Sequence, residues 1–217
     1  MNQLRLYDYT ASANCYKVRL LLAQLGREYE RIPIDIFAGD TLTDEYAVMN
    51  PMRTTPVLQT EDGCHLPESN AILIYLADST PLLPDEVFDR AQVVRWLIYE
   101  QTDVIPTMGG LRFRLLAGRL QPTDDEAGRR KEGGEVVLGL LDHHLAGRQF
   151  FVGDRYSVAD IGIYGYVHVA HEAGIDMRPY PNVSSWLERV RSQPDYMNDL
   201  LPYPANARPG AGQSMYD

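Results

Sequence analysis

Apolar and polar positions along the chain fall into two regimes. Residues 4–9 (Leu4-Arg5-Leu6-Tyr7-Asp8-Tyr9) read as a first strand, closed by the polar turn Thr10-Ala11-Ser12-Ala13-Asn14. Val18, Leu21, Leu22 and Leu25 then recur at i, i+3, i+4 and i+7, one face of a helix, which Gly26 ends. Tyr29, Ile32, Ile34 and Ile36 predict a second strand, so the opening is a strand–helix–strand unit with a parallel pair. A short helical stretch over 44–49 stops at Asn50-Pro51. Residues 56–60 read as a third strand, Glu61-Asp62-Gly63 as a tight turn and 64–66 as a short return strand. A helix is expected over 69–77, carrying Ile72, Ile74, Tyr75 and Leu76.

After residue 78 the strand pattern disappears. Two prolines within residues 79–84 mark a linker. A helix from about Phe88 carries Ala91, Val94, Trp96, Leu97 and Ile98 and should end or kink at Pro106. Thr123-Asp124-Asp125-Glu126 has the form of a capping box, opening a helix with Val136, Val137, Leu140, Leu141 and Leu145 on one face. Ser157-Val158-Ala159-Asp160 is a second such start, with Tyr156 and Ile161 spaced as a hydrophobic staple, and a last helix is expected over 183–191. The first part has the element order of a thioredoxin-like α/β domain with a mixed sheet, and the second reads as an all-α helical bundle. The expected division is residues 1–79, then 86–201, with 202–217 an irregular, partly mobile tail rich in proline and glycine.

Composition narrows the possible functions. The 217 residues are 45% hydrophobic and 23% charged, an ordinary globular balance that excludes disorder and fibrous repeats. Lys plus Arg is 20 against 30 Asp plus Glu, a net charge of −10 that disfavours nucleic-acid and anionic-membrane partners. No apolar run is long enough for a membrane helix, and the opening segment lacks an apolar signal core or cleavage site. Cys15 and Cys64 are too few and too far apart for a disulfide framework or a zinc site. A reducing cytoplasm is therefore the expected location. His168, His171 and Glu172 lack a further ligand, and His143-His144 reads as a solvated helix face, so no metal is expected.

Three local motifs, in this order and spacing, resemble the cytosolic glutathione transferases. They are Ser12-Ala13-Asn14-Cys15-Tyr16-Lys17-Val18-Arg19-Leu20, then Met49-Asn50-Pro51-Met52-Arg53-Thr54-Thr55-Pro56-Val57-Leu58, then Pro67-Glu68-Ser69-Asn70-Ala71-Ile72. Residues 157–160 resemble the capping box of the family's sixth helix, and the likeness covers about residues 3–200. The form is closest to the bacterial serine-type enzymes, near the delta, zeta and theta groups. The resemblance implies an enzyme of detoxification type. It would attack a small hydrophobic electrophile with the thiolate of glutathione, its co-substrate, and would work as a homodimer.

A free thiol has a pKa of ~8.5, so such an enzyme must favour the thiolate by a donated hydrogen bond and a helix N-terminus. Ser12 occupies the family's hydroxyl position, although a serine just before a helix is equally suited to plain capping. Asn14 is a second polar contact or the helix cap. Tyr9, at the strand end, is a rival hydroxyl and a candidate for the substrate pocket. Cys15 is a rival of a different kind: it is either a packed thiol or a working one, and a glutathione-dependent disulfide reductase or lyase using Cys15 or Ser12 is the alternative activity. Thr55-Pro56 resembles the family's residue-plus-cis-proline pair, whose backbone pairs with the cysteinyl part of glutathione. Glu68 and Ser69 stand at a helix start suited to the γ-glutamyl end. Arg53 is either a partner for the glycyl carboxylate or a solvated surface arginine. The resemblance implies an electrophile site between the domains, with Tyr99, Thr102, Ile105, Pro106, Met108 and Phe113 as candidate lining and Gly109-Gly110 as a break that makes room. A non-catalytic transferase-like scaffold is the remaining alternative.

Overall fold

A computed structural model describes residues 3–216; Met1, Asn2 and Asp217 lie outside it. The chain forms two compact units, one running to Leu76 and resuming at Met197, the other Ala77–Tyr196.

The first unit holds a four-stranded sheet in the order β2-β1-β3-β4, built from β1 (Arg5–Asp8), β2 (Glu30–Pro33), β3 (Val57–Gln59) and β4 (His65–Pro67). β1 runs parallel to β2 and antiparallel to β3, with Leu6 opposite Leu58, and β3 pairs antiparallel with β4. The helices are α1 (Ala13–Gln24), α2 (Asp44–Met49) and α3 (Ser69–Ala77), the last ending at the unit boundary. This is the mixed α/β arrangement that the sequence pattern predicts.

α1 departs from that pattern in one respect. Its apolar stripe predicts one buried face, yet every residue from Cys15 to Leu22 is buried, Lys17 and Arg19 included. The second cover comes from the end of the chain. Tyr16 donates its hydroxyl to the Met197 carbonyl at 2.9 Å, and Arg19 reaches Asp199. Further on, the Asn206 amide donates to Asp35, the Gln213 N–H donates to the Phe37 carbonyl at 2.7 Å, and the Tyr216 ring lies against Phe37. Gly212 passes so close to Phe37 that an added Cβ would stand 2.4 Å from its carbonyl oxygen. The described part of 202–217 is irregular apart from the short turn Ala205–Ala207, and it packs on the first unit, where its backbone pairs with the Phe37–Ala38 segment.

The second unit is helical throughout: α4 (Val87–Tyr99), α5 (Gly110–Leu116), α6 (Asp125–Leu145), α7 (Val158–Val167) and α8 (Pro181–Arg191). Pro106 does not stop the helix that begins with α4. Glu100–Gly109 continues it as a π-helical segment, in which the Gly110 N–H donates to the Ile105 carbonyl five residues back. The wider turn accommodates a ring and a missing donor that an α-turn would not. α7 is the centre of the unit, with every residue buried. Its predicted capping box is present, and Asp160 also accepts from the Trp186 indole at 2.9 Å and from the Phe151 N–H. Burial raises the Asp160 carboxyl to about 7 against the pull of these donors. The box expected at 123–126 does not form. Asp124 takes the cap position without a side-chain cap bond, because its carboxylate accepts from Gln121 instead. His144 is not a solvated side chain either: it stacks on Phe151 at 5.6 Å and its Nε2 bonds the Phe151 carbonyl. No helix among the described residues is long and apolar enough to cross a membrane.

Candidate functional site

The candidate site lies in the first unit and is assembled around the first turn of α1. Ser12 is the N-cap, extended and half-buried, and its Oγ accepts the Cys15 N–H at 3.3 Å. Capping uses a lone pair, and a hydroxyl has two lone pairs and one proton, so the cap role and a donor role are compatible. Asn14, one turn position further, accepts the Ser69 hydroxyl at 3.3 Å, and Lys17 donates to Asn70 at 3.1 Å. These two bonds tie the start of α1 to the start of α3. Two helix N-termini, each with orphan N–H groups and a positive dipole end, thus stand side by side. Such a place favours anionic groups.

The third component is the loop before β3. The Thr55–Pro56 peptide is cis, as the family likeness implied. Buried Asn50 braces this loop, donating to the Thr54 carbonyl at 2.9 Å while its own oxygen accepts the Met52 N–H. Tyr46 also donates its hydroxyl to Thr54. Thr55 is half-buried and Pro56 buried.

Cys15 lies at the centre of the site, in the first turn of α1. It is fully buried, and its Sγ accepts the Tyr9 N–H at 3.4 Å. Burial, aided by the nearby Asp8 carboxylate, raises its pKa to about 12 against the pull of the Tyr9 N–H and of the neighbouring Thr55 and Ser12 hydroxyls. Burial thus favours the neutral thiol over the thiolate.

Glu68 is exposed at positive φ, 72°, and its carbonyl accepts the first helical N–H of α3, from Ile72. Ser69 beside it is buried. Arg53 also has positive φ, 55°, but it is no solvated arginine: its Nη1 donates to the Thr41 and Thr43 carbonyls at 3.1 and 3.0 Å. Tyr9 is buried against Phe37 and Tyr203, and its hydroxyl has no hydrogen-bond partner among the described residues. Burial raises its pKa well above the usual tyrosine value.

The pocket candidates of the second unit separate into two kinds. Met108 is buried next to Gly134 of α6, where it packs the core. Gly109 makes no room for a ligand, because the Tyr166 ring fills the space. Tyr99, Ile105 and Phe113 are half-buried, while Thr102 and Pro106 are exposed. The Thr102 hydroxyl is bound to the Ile98 carbonyl and the Asp103 carboxylate, and Arg119 stacks over Phe113. Burial and Asp103 raise the Tyr99 hydroxyl to about 12. Sequence reasoning missed Asp8, Lys17, Arg19 and Asp199. The available signal was Asp8 itself, a carboxylate at an inward position of a strand that otherwise alternates.

A thioredoxin-like sheet with two helix starts and a cis-proline loop, followed by a helical unit, defines a class, and the comparisons give its family. Residues 11–79 match the glutathione S-transferase N-terminal domain, and residues 101–194 match the glutathione S-transferase C-terminal domain. A maleylacetoacetate isomerase of Rhizobium meliloti is 36% identical over 192 residues, covering 83% of this chain and 87% of that protein. A glutathione S-transferase structure from Pseudomonas fluorescens superposes with a TM-score of 0.88 at 38% identity, covering 92% of this chain and all of that one. A glutathione transferase from Burkholderia graminis, solved with two glutathione molecules bound per subunit, has a TM-score of 0.80 at 31% identity, covering 92% of this chain and 88% of that one. The chain belongs to the glutathione S-transferase family.

Proposed function

We propose that this protein is a glutathione transferase in which Ser12 donates its hydroxyl proton to the glutathione sulfur and holds it as thiolate. The observation that carries this reading is the meeting of the α1 and α3 N-termini around a half-buried serine. The γ-glutamyl carboxylate belongs at Ser69 and the start of α3, with Glu68 facing the γ-glutamyl ammonium. The Thr55 backbone pairs with the cysteinyl part, as an added strand would. Asn14 orients Ser69 rather than meeting the ligand first, since its oxygen is already bonded to that hydroxyl. Arg53 shapes the α2 loop whose carbonyls it bonds. Lowering a thiol pKa by two units needs ~2.7 kcal/mol of preference for the thiolate, within reach of one charge-assisted bond and a dipole.

The electrophile is a small hydrophobic molecule, and Tyr99, Ile105 and Phe113 are the apolar side chains offered to it. The raised pKa of Tyr99 keeps its hydroxyl a donor throughout the working range. The burial and raised pKa of Cys15 count against a disulfide reductase built on that thiol. Two free cysteines, one of them exposed, suit a reducing cytoplasm.

The test is an ultraviolet thiolate titration of the protein with reduced glutathione. The expected result is a saturable thiolate band with a pKa below that of free glutathione, lost in Ser12→Ala. A band that survives Ser12→Ala moves the role to the helix N-termini, and absence of any binding replaces the enzyme with a scaffold.

A further inference from the structure

Arg19 stands in the second turn of α1 with its side chain wholly buried, and the thiol chemistry described above does not use it. Its Nη1 donates to buried Asp8 at 2.5 Å. Its Nε lies 2.8 and 2.9 Å from the two carboxylate oxygens of Asp199. Its Nη2 donates to the Thr10 carbonyl at 3.3 Å. Arg31 completes the cluster, paired with Asp8 and 3.6 Å from Asp199. Two cations and two anions therefore balance within the cluster, and it needs no ligand to complete it.

The position of the cluster matters more than its charge. Thr10 is two residues before Ser12, in the turn that sets the serine, and the Ser12 N–H closes that turn on the Tyr9 carbonyl at 3.0 Å. The Thr10 carbonyl receives a second donor, the Leu201 N–H at 3.3 Å, from the same returning segment that carries Asp199. The adjacent Met197 carbonyl takes the Tyr16 hydroxyl from the first turn of α1. The loop bearing Ser12 is thus gripped from behind by Arg19 and residues 197–201. A hydroxyl that must meet a sulfur loses its effect when its loop shifts by about an ångström.

We infer that Asp199, acting through Arg19, is a positioning residue for Ser12, so that the returning end of the chain sets the thiolate-stabilising geometry of the N-terminal unit. The inference rests on the Ser12 reading above. Asp199 touches neither glutathione nor electrophile, and its removal releases Arg19 and the Thr10 turn.

The experiment compares the full chain with Ser12→Ala, Asp199→Ala, Asp199→Asn and Asp199→Glu, measuring the pKa of bound glutathione, its Kd and the melting temperature. In Asp199→Ala the bound thiol pKa is expected to rise by about one unit, a tenfold loss of thiolate at a pH below both values. Glutathione Kd, measured at a pH below both bound-thiol pKa values, should change by less than about threefold, because the γ-glutamyl contacts on α3 are untouched. Asp199→Glu should recover part of the shift, and Asp199→Asn, which keeps one acceptor, should show a smaller one and serve if the alanine variant does not fold. A thiol pKa unchanged in the alanine or asparagine variant, while Ser12→Ala shifts it, overturns the inference alone and leaves a merely structural cluster. A thiol pKa that Ser12→Ala itself leaves unmoved overturns the serine reading and this inference together.

Discussion

At the scale of single residues, the site divides into groups that act and groups that hold. Cys15 is the sharpest case of the second kind, since a cysteine at a helix start is by position a reactive candidate and by burial an inert one. Its pKa of about 12 means that native protein at pH 8 should be alkylated by iodoacetamide at exposed Cys64 and not at Cys15, with a second label appearing only on unfolding. Peptide mapping after a timed reaction gives the answer, and early labelling of Cys15 would contradict the burial argument. Cys15→Ala should keep transferase kcat/KM within about threefold and lower Tm by a few degrees, the scale of ~1 kcal/mol in a chain this size. The positions of Ser12, Thr55 and Ser69 were legible in the sequence as a polar residue before an apolar stripe, a residue before a strand's proline and a serine after a hairpin, while the roles proposed for them came from the family likeness. Arg19 was not. Its partner Asp199 is 180 residues away, and no local periodicity encodes a cover that arrives from so far along the chain.

Elements show where local rules compete with packing. The sequence carries two candidate capping boxes, and one forms. At 157–160 the box is reinforced by Trp186 and Phe151, which use the same Asp160 oxygen. At 123–126 nothing reinforces it, and Asp124 serves the preceding turn instead. Pro106 likewise suggested a break that the π-helical segment avoids. That segment depends on close approach: a Cβ on Gly109 would stand 2.6 Å from the Tyr166 ring of α7. Gly109→Ala is therefore expected to destabilise the protein by ~1–3 kcal/mol through overpacking, read as a drop in denaturation midpoint with an unchanged m-value. Gly139→Ala, where an added Cβ meets nothing within 4 Å, is the matched control and should be neutral or slightly stabilising. Equal effects from both would mean that helix propensity, not the Tyr166 contact, governs the site.

For the whole molecule, the pattern of strands followed by helices correctly announced an α/β part and an all-helical part. It divided the chain once, whereas the first unit is completed by a segment beyond the second. Exposed apolar side chains also point past the single chain. Val87, Val94 and Ile98 line one open face of α4 together with Arg90, Ala91 and Arg95, and Val87 is 80% and Ile98 57% exposed. That stripe is a candidate surface for the homodimer that the family resemblance implies. Sedimentation or light scattering is expected to report a dimer, and Val94→Glu with Ile98→Glu a monomer. Melting temperature should rise with protein concentration in the parent and not in the double variant. A parent that is monomeric at micromolar concentration would remove the dimer from the description.

The returning segment also imposes an order on the making of the protein. At ~5–20 residues per second, the 180 residues between Arg19 and Asp199 take roughly 10 to 40 s to synthesise. Through that interval the nascent sheet and α1 exist without their outer layer, and Arg19 has only Asp8 for an anion. The helical unit, although second in sequence, is therefore fully synthesised before the first unit is. A chain truncated just short of residue 197 would carry every helix of the second unit but a proposed glutathione site that lacks its back wall.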